Sequence, residues 1–153
     1  MAHAESSAAP DGVLRASFDL GFTYTRTTGP IIGAFLTGLR NRQIKGIKRS
    51  NGQVMCPPLE YDPETADELT QIVDLQDTGV VKTWAWVTQP REKHHLQKPF
   101  AWALIQIDGA STTMLHMVDA GAESTMKTGM KVKAKWSEQT KGFMTDIACF
   151  VPV

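Results

Sequence analysis

The feature that most constrains this chain is a short hairpin signature in its first half. Gly46-Ile47-Lys48-Arg49 and Gln53-Val54-Met55-Cys56 flank Ser50-Asn51-Gly52, and Asn-Gly supplies the backbone freedom that a tight antiparallel turn requires. Pro57-Pro58 ends the second arm, because proline has no N–H to give to a ladder. Tyr61-Asp62-Pro63-Glu64-Thr65 then makes a turn of its own. A helical pattern precedes this unit and a run of strand patterns follows it.

The helix starts at Thr27-Thr28-Gly29-Pro30, with a threonine as cap candidate and proline in the first turn. From Pro30 to Arg42 the apolar residues Ile31, Phe35, Leu36 and Leu39 share one helical face. Gly33 and Gly38 weaken the helix by roughly 1 kcal/mol each relative to alanine, and permit close approach of another backbone. Short, amphipathic and marginal alone, it reads as a docking element. Arg40 and Arg42 complement the dipole at its C-terminal end. Ahead of it, residues 1–12 are rich in Ala, Ser, Pro and Gly and are expected to be disordered. Val13 to Tyr24 is an extended arm that packs on another surface or folds back on its own domain.

From Leu69 the pattern turns to period two. Thr70 to Leu75 leads through Gly79 into Val80 to Thr88, the expected long first strand of a small barrel, bent at the glycine. Alternation puts Val81, Thr83, Ala85 and Val87 on one face and Val80, Lys82, Trp84, Trp86 and Thr88 on the other. Gln89 to Pro99 is a polar loop, and Phe100 to Ile107 and Thr112 to Val118 are the next two strands. Asp119 to Gly129 is a connector with helical character. Met130 to Trp136 alternates cleanly between Lys131, Lys133, Lys135 and Val132, Ala134, Trp136, and Phe143 to Val151 closes the series. Five strands with the long connector after the third match the Greek-key barrel of the OB-fold. The expected division is therefore an arm and docking helix over 13–43, a hairpin ribbon over 44–68 and a barrel over 69–153.

With 153 residues, 42% apolar and 21% charged, the composition is that of an ordinary globular protein. Lys+Arg and Asp+Glu are equal at 16 each, which argues against phosphate-backbone binding as the main task. No signal peptide and no membrane-length apolar run is legible, so a cytoplasmic location is expected, with Cys56 and Cys149 as free thiols. Serine-hydrolase, zinc-protease, P-loop and dinucleotide-binding signatures are all missing. His94 and His95 are adjacent, so on a strand they would point to opposite faces; with His116 they could assemble only in three dimensions. The ordinary expectation for them is solvated loop histidines and one strand histidine. Trp84 with Trp86, and Phe100 with Trp102, share faces of neighbouring strands. Both faces of the first strand are apolar and cannot both line one small interior, so some aromatic surface is expected to be covered by a partner or ligand.

The order of helix, glycine-flanked hairpin, paired prolines, turn and strands resembles the thiolase-associated OB-fold family (domain of unknown function thirty-five). The resemblance runs from about Thr25 to the C-terminus. It is carried best by TRTTGPIIGAFLTGLR (Thr25 to Arg40) and VMCPPLEYDPET (Val54 to Thr65). Members of that family usually carry a rubredoxin-like zinc ribbon here. The ligand positions fall near Lys48, Asn51, Asp62 and Thr65, none a cysteine. An amine, an amide, a carboxylate and a hydroxyl cannot build the soft tetrahedral site that zinc prefers, and Cys56 alone does not restore it. The resemblance thus implies a mainly β protein: an OB-fold barrel preceded by a helix and a degenerate, metal-free ribbon.

It also implies a non-catalytic accessory subunit, similar to the branch that accompanies steroid side-chain degradation. Such a subunit pairs with a sterol-carrier-type thiolase or retro-aldolase acting on an acyl-CoA, with a MaoC-type hydratase as a further partner. On this reading Ile31, Phe35 and Leu39 dock on the partner, assisted by Arg26, Trp84 and Trp86. Arg91, His94 and His95 lie near the substrate, and Lys131, Lys133 and Lys135 meet the phosphates of coenzyme A. The rival expectation is an OB-fold binder of single-stranded nucleic acid that stacks bases on Trp84 and Trp86 and tracks the backbone with the lysine row.

Overall fold

The structure is a computed structural model that describes residues 7–8, 14–15, 18, 20–25 and 27–153. Near the N-terminus, β1 (Ser7–Ala8) pairs antiparallel with β2 (Leu14–Arg15). The rest of the segment expected to be disordered, and Arg26, lie outside the described residues. No helix among the described residues is long and apolar enough to cross a membrane.

Helix α1 (Pro30–Arg40) opens at Gly29, where φ is 84° and no side chain of the preceding threonines caps it. The cap comes instead from Glu60, 29 residues on, whose carboxylate accepts from the N–H groups of Ile31 at 3.0 Å and Ile32 at 2.9 Å. This placement suits a carboxylate, because the first N–H groups of a helix lack internal partners and carry its positive end. A Cβ at Gly29 would sit 2.3 Å from Glu60 Oε1, so the glycine is needed both for its φ and for the approach of the cap.

The apolar stripe on α1 is real, but it faces inward. Ile31 is 6% exposed, Phe35 3% and Leu39 0%. Ile31 packs with Ile47, Met55 and Leu69 of the ribbon, and Phe35 and Leu39 belong to the main core with the barrel residues. The expectation that Ile31, Phe35 and Leu39 dock on a partner is therefore corrected, since their surfaces are already covered by the chain itself. Gly38 serves the same intramolecular packing: a Cβ there would lie 2.8 Å from the carbonyl oxygen of Gln43. The close approach that this glycine permits is that of the chain's own return strand.

That return is β3 (Ile44–Lys48), which pairs with β4 (Val54–Met55) through Lys48↔Val54 and Ile47↔Met55, as the Asn-Gly hairpin predicts. On its other edge β3 pairs with β5 (Gln71–Leu75), giving a three-stranded sheet β4-β3-β5. The sequence pattern made residues 70–75 the first half of a barrel strand. Instead they complete the ribbon sheet, and a two-residue break at Gln76-Asp77 separates them from the barrel.

The barrel is formed by β6 (Thr78–Val87), β7 (Phe100–Ile107), β8 (Met114–Val118), β9 (Lys131–Trp136) and β10 (Ile147–Pro152), closed in the order β10-β8-β7-β6-β9. All pairs are antiparallel except β10 with β8. This is the five-stranded OB-fold. The long connector after β8 holds one 3₁₀ turn, Glu123–Thr125, and a second, Met144–Asp146, occupies the start of the expected last strand.

A bulge decides which residues of β6 face inward. Val81 pairs with Ile105 and Thr83 with Leu104, so Lys82 is an extra residue on its strand. Alternation resumes one residue out of phase. Trp84 and Trp86 then fall on the same interior side as Val81, opposite Ala103 and Ala101, and both rings pack on the main core. Large rings over alanines fill the interior without overcrowding it. Phe100 and Trp102 point to the outside of the barrel, so the four rings do not form one aromatic patch. The conflict of two apolar faces on β6 disappears with the bulge.

Candidate functional site

The outer face of β7 and β8 carries an apolar strip. Trp102 pairs with Met117 and Leu104 with Leu115 across the two strands; Leu104 is 37% exposed and Leu115 57%. The loop from β6 to β7 folds over one end of this strip. His94 sits edge-on to Phe100 and Trp102, with ring centroids 5.3 and 6.3 Å away. It also accepts the N–H of Arg91 on Nδ1 at 3.1 Å, and its carbonyl accepts from the Gln97 amide. Lys98 pins the end of the loop to Asp119 at 2.7 Å. Beneath it lies a small outer cluster of Phe100, Met117 and Cys149.

Against this strip lies a cavity of about 300 Å³. Its floor and walls are Trp102, Met117, Met144 and Ile147, together with His116; Leu115, His95 and Thr145, all exposed, complete its rim. The cavity thus lies between the outer strands and the two loops that join β6 to β7 and β9 to β10. In OB-folds that is where ligands are bound. A larger cleft of about 410 Å³ lies where the turn after α1 meets the start of β3 and the end of β5, but it is lined largely by polar groups whose carboxylates are engaged. Asp74 there pairs with Lys45 at 2.6 Å, and Asp77 with Lys133 at 3.6 Å.

His116 is held as a neutral donor. It is only 5% exposed, its Nδ1 accepts the N–H of Met117 at 2.9 Å, and its Nε2 lies 3.3 Å from the carbonyl oxygen of Met144. That bonding requires the proton on Nε2. Burial lowers its pKa, against the two backbone contacts, so the ring stays uncharged at neutral pH. Its edge packs on Phe150 at 5.5 Å. With both nitrogens occupied, His116 is part of an apolar wall. His95, the other imidazole at the cavity, is exposed.

The other residues singled out in the sequence are placed elsewhere. Arg91, His94 and the three lysines do not line the cavity. Lys131 pairs with Asp108 at 3.1 Å and Lys133 with Asp77, which removes much of the row's free positive charge. With Trp84 and Trp86 inside the barrel, stacking and backbone groups do not share a surface, and the nucleic-acid expectation loses its structural basis. Leu115, Met117, Met144 and Thr145 were not foreseen as site residues. The sequence signal for Leu115 and Met117 is that they give β8 an outward apolar face behind the inward Met114, His116 and Val118; Met144 and Thr145 carry none.

In the ribbon, an arginine–carboxylate cluster joins the two turns. Arg49 and Asp62 are 6% and 3% exposed; Nε and Nη2 of Arg49 donate to the two Asp62 oxygens at 2.7 and 2.8 Å. Nη2 also reaches Glu64 at 2.9 Å, and Nη1 donates to Gln53 at 2.9 Å. Asp62 accepts the N–H groups of Glu64 and Thr65 as well. The Arg49 bonds, with these backbone donors, hold the Asp62 carboxyl down at about 2. Of the positions where the resembling family places metal ligands, Lys48, Asn51 and Thr65 are exposed and Asp62 is fully engaged by Arg49. Among the described residues no group of three His, Cys, Asp or Glu side chains could hold a metal ion. The residues present do not fit zinc. Cys56 and Cys149 are both buried free thiols, and burial pushes the Cys56 thiol up to about 12.

The model of the family described as ChsH2, C-terminal OB-fold domain, matches residues 72–137, from within β5 to just past β9. Over those residues the barrel is similar to the ChsH2-type OB-fold domain. This match agrees with the resemblance to the thiolase-associated OB-fold family read from the sequence. No curated protein matches the chain. Among solved structures, a DUF35-family protein of unknown function from Sulfolobus solfataricus superposes with a TM-score of 0.58 at 24% identity, covering 70% of this chain and 77% of that one. The Ltp2-ChsH2(DUF35) aldolase gives 0.60 at 17% identity, covering 83% of this chain and 98% of that one. At these identities the two structures establish the fold that the ChsH2-type barrel shares with them.

Proposed function

We propose that this protein is a non-catalytic accessory subunit that binds and stabilises an aldolase- or thiolase-type enzyme, with the reaction carried by the partner. The observation that supports this best is the match of the barrel to the ChsH2 C-terminal domain. A chain named ChsH2(DUF35) occurs with Ltp2 in a structure described as an aldolase, and the likeness covers 98% of the aligned chain. A partner substrate of acyl-CoA type, with a steroid side chain as its acyl part, is the finer form of this reading.

Since α1 is covered by the chain's own core, docking passes to the arm ahead of it. Phe18, Leu20, Phe22 and Tyr24 are 85%, 74%, 75% and 71% exposed, and they recur at every second position. A run of that spacing places its apolar side chains on one side of an extended segment, where a partner surface can cover them together. Removing such surface from water stabilises association by about 25 cal/mol per Å² before the costs of ordering.

The test is affinity capture of the tagged protein from its native host, with mass spectrometry of what is retained. Recovery of one thiolase- or aldolase-type protein in comparable amount, stable in high salt and lost in a Phe22→Ala/Tyr24→Ala variant, supports the proposal. Capture of nucleic acid released by salt, or recovery of the chain alone, overturns it.

A further inference from the structure

We infer that the cavity between β7, β8 and the Met144–Asp146 turn is a binding site for a neutral hydrocarbon group that carries a carbonyl or hydroxyl at one end. At about 300 Å³ the space is at the lower end of small-molecule pockets, enough for one ring system or a short chain. Neither lysine nor arginine lines it, so it offers no fixed positive charge to a phosphate or a carboxylate. Its one deeply buried polar ring, His116, has both nitrogens satisfied by the backbone of Met117 and Met144. A charged or strongly hydrated group would lose its water there without replacement.

What the cavity does offer is sorted by depth. Inside are the thioether side chains of Met117 and Met144, which adapt to irregular shapes, and the indole of Trp102. At the rim are His95 and Thr145, both exposed and both able to donate or accept one hydrogen bond. An apolar body inside with one polar atom at the mouth is the arrangement these groups complement. Leu115 stands at the opening, 57% exposed, and its side chain would be covered by such a ligand. A protein segment is the less suitable occupant, since the volume takes little more than one side chain.

The acyl or alicyclic part of a partner's substrate would be one source of this chemistry, and that identification rests on the proposed function. The cavity's preference for neutral hydrocarbon does not. The experiment therefore uses the isolated full chain, with methionine methyl NMR, and titrates in 1-octanol and, separately, cyclohexanol. The expected result is saturable movement of the Met117 and Met144 methyl signals while that of Met55 in the ribbon stays fixed. In Leu115→Trp, which fills the mouth from an exposed position, affinity should fall at least tenfold with the fold intact by far-UV circular dichroism. Replacing His95 by alanine should weaken both alcohols by a smaller factor. The inference is overturned if neither alcohol gives saturable shifts, if Leu115→Trp leaves binding unchanged, or if a single-stranded oligonucleotide moves the same methyls and the alcohols do not. Failure here with successful capture of an enzyme partner would sink the site alone; the reverse outcome would sink the accessory-subunit reading and leave the site.

Discussion

Truncating Leu39 separates the two roles that helix α1 could have. If the helix docked on a partner, Leu39→Ala would leave the isolated chain as stable as before and weaken the complex. The structure gives the opposite expectation, because Leu39 is 0% exposed and sits among Phe35, Ile44 and barrel residues. Buried Leu→Ala changes cost about 2–5 kcal/mol, from lost transfer energy plus the cavity left behind. A site bounded by strands on several sides collapses poorly, so about 3 kcal/mol is the expected loss. For a chain of this length each kcal/mol moves Tm by about 2–4 °C, so Tm should fall by roughly 6–12 °C. Urea unfolding followed by tryptophan fluorescence measures the loss, and a slope unchanged from wild type certifies that the unfolding transition is the same. The control is Phe22→Ala in the arm, whose ring is 75% exposed. It should change stability by less than about 0.5 kcal/mol, as surface substitutions usually do. A loss below about 1 kcal/mol for Leu39→Ala would refute the assignment of the helix face to the chain's own core.

The carboxylate of Glu60 caps α1 from a distance, so Glu60→Ala should cost about 0.5–2 kcal/mol, as the loss of a cap does, and should expose the amides of Ile31 and Ile32 to faster hydrogen exchange. Arg49→Met strands the Asp62 carboxylate in a site where it is 3% exposed; the ribbon should lose exchange protection, and Arg49→Lys should not restore the two-pronged bond. The double change Arg49→Met/Asp62→Leu should be milder than Arg49→Met alone, and additivity would count against the pair acting as a unit. Acid should destabilise the protein in a defined window. For Asp146, burial pushes the carboxyl up, but the N–H groups of Lys141, Gly142 and Phe143 outweigh it and hold it below its ordinary value of 3.8. Folded-state values below the unfolded ones mean that this stabilisation, with that of Asp62, is complete above 3.8 and is lost as pH falls toward about 2. Tm measured across that range should decline, and less steeply in Asp146→Asn.

How much was legible in the sequence divides along local and non-local lines. The hairpin at Ser50-Asn51-Gly52, the helix stripe and the alternation of Lys131 to Trp136 are written in neighbouring residues, and all three appear where their spacing places them. The direction of the stripe was not, because an amphipathic face shows that something covers it and not what does. Glu60 was invisible as a cap for the same reason: its target lies 29 residues upstream. Strand β5 was assigned to the barrel since its pattern alone does not say whether β3 or another strand is its neighbour. The cavity residues come from β7, β8, the Met144–Asp146 turn, β10 and the loop that carries His95, so no local pattern in the sequence joins them.

The bulge at Lys82 shows how one residue can redirect a functional argument. Strict alternation set Trp84 and Trp86 on the face opposite Val81, where two indoles would have offered a stacking surface. One extra residue between Val81 and Thr83 shifts the phase and turns both rings inward over Ala101 and Ala103. That single shift removes the apolar excess that called for a partner on β6. It leaves Trp102, on the next strand, as the indole that reaches the outer cavity. A surface first assigned to one role therefore divides into two: the interior rings support the barrel, and the outer strip with its neutral histidine wall is left for a ligand. The partner's contact then has to be sought in the exposed arm, where Phe18, Leu20, Phe22 and Tyr24 are not covered by the described chain. Docking and ligand binding on this reading use different residues, so variants in one should leave the other intact.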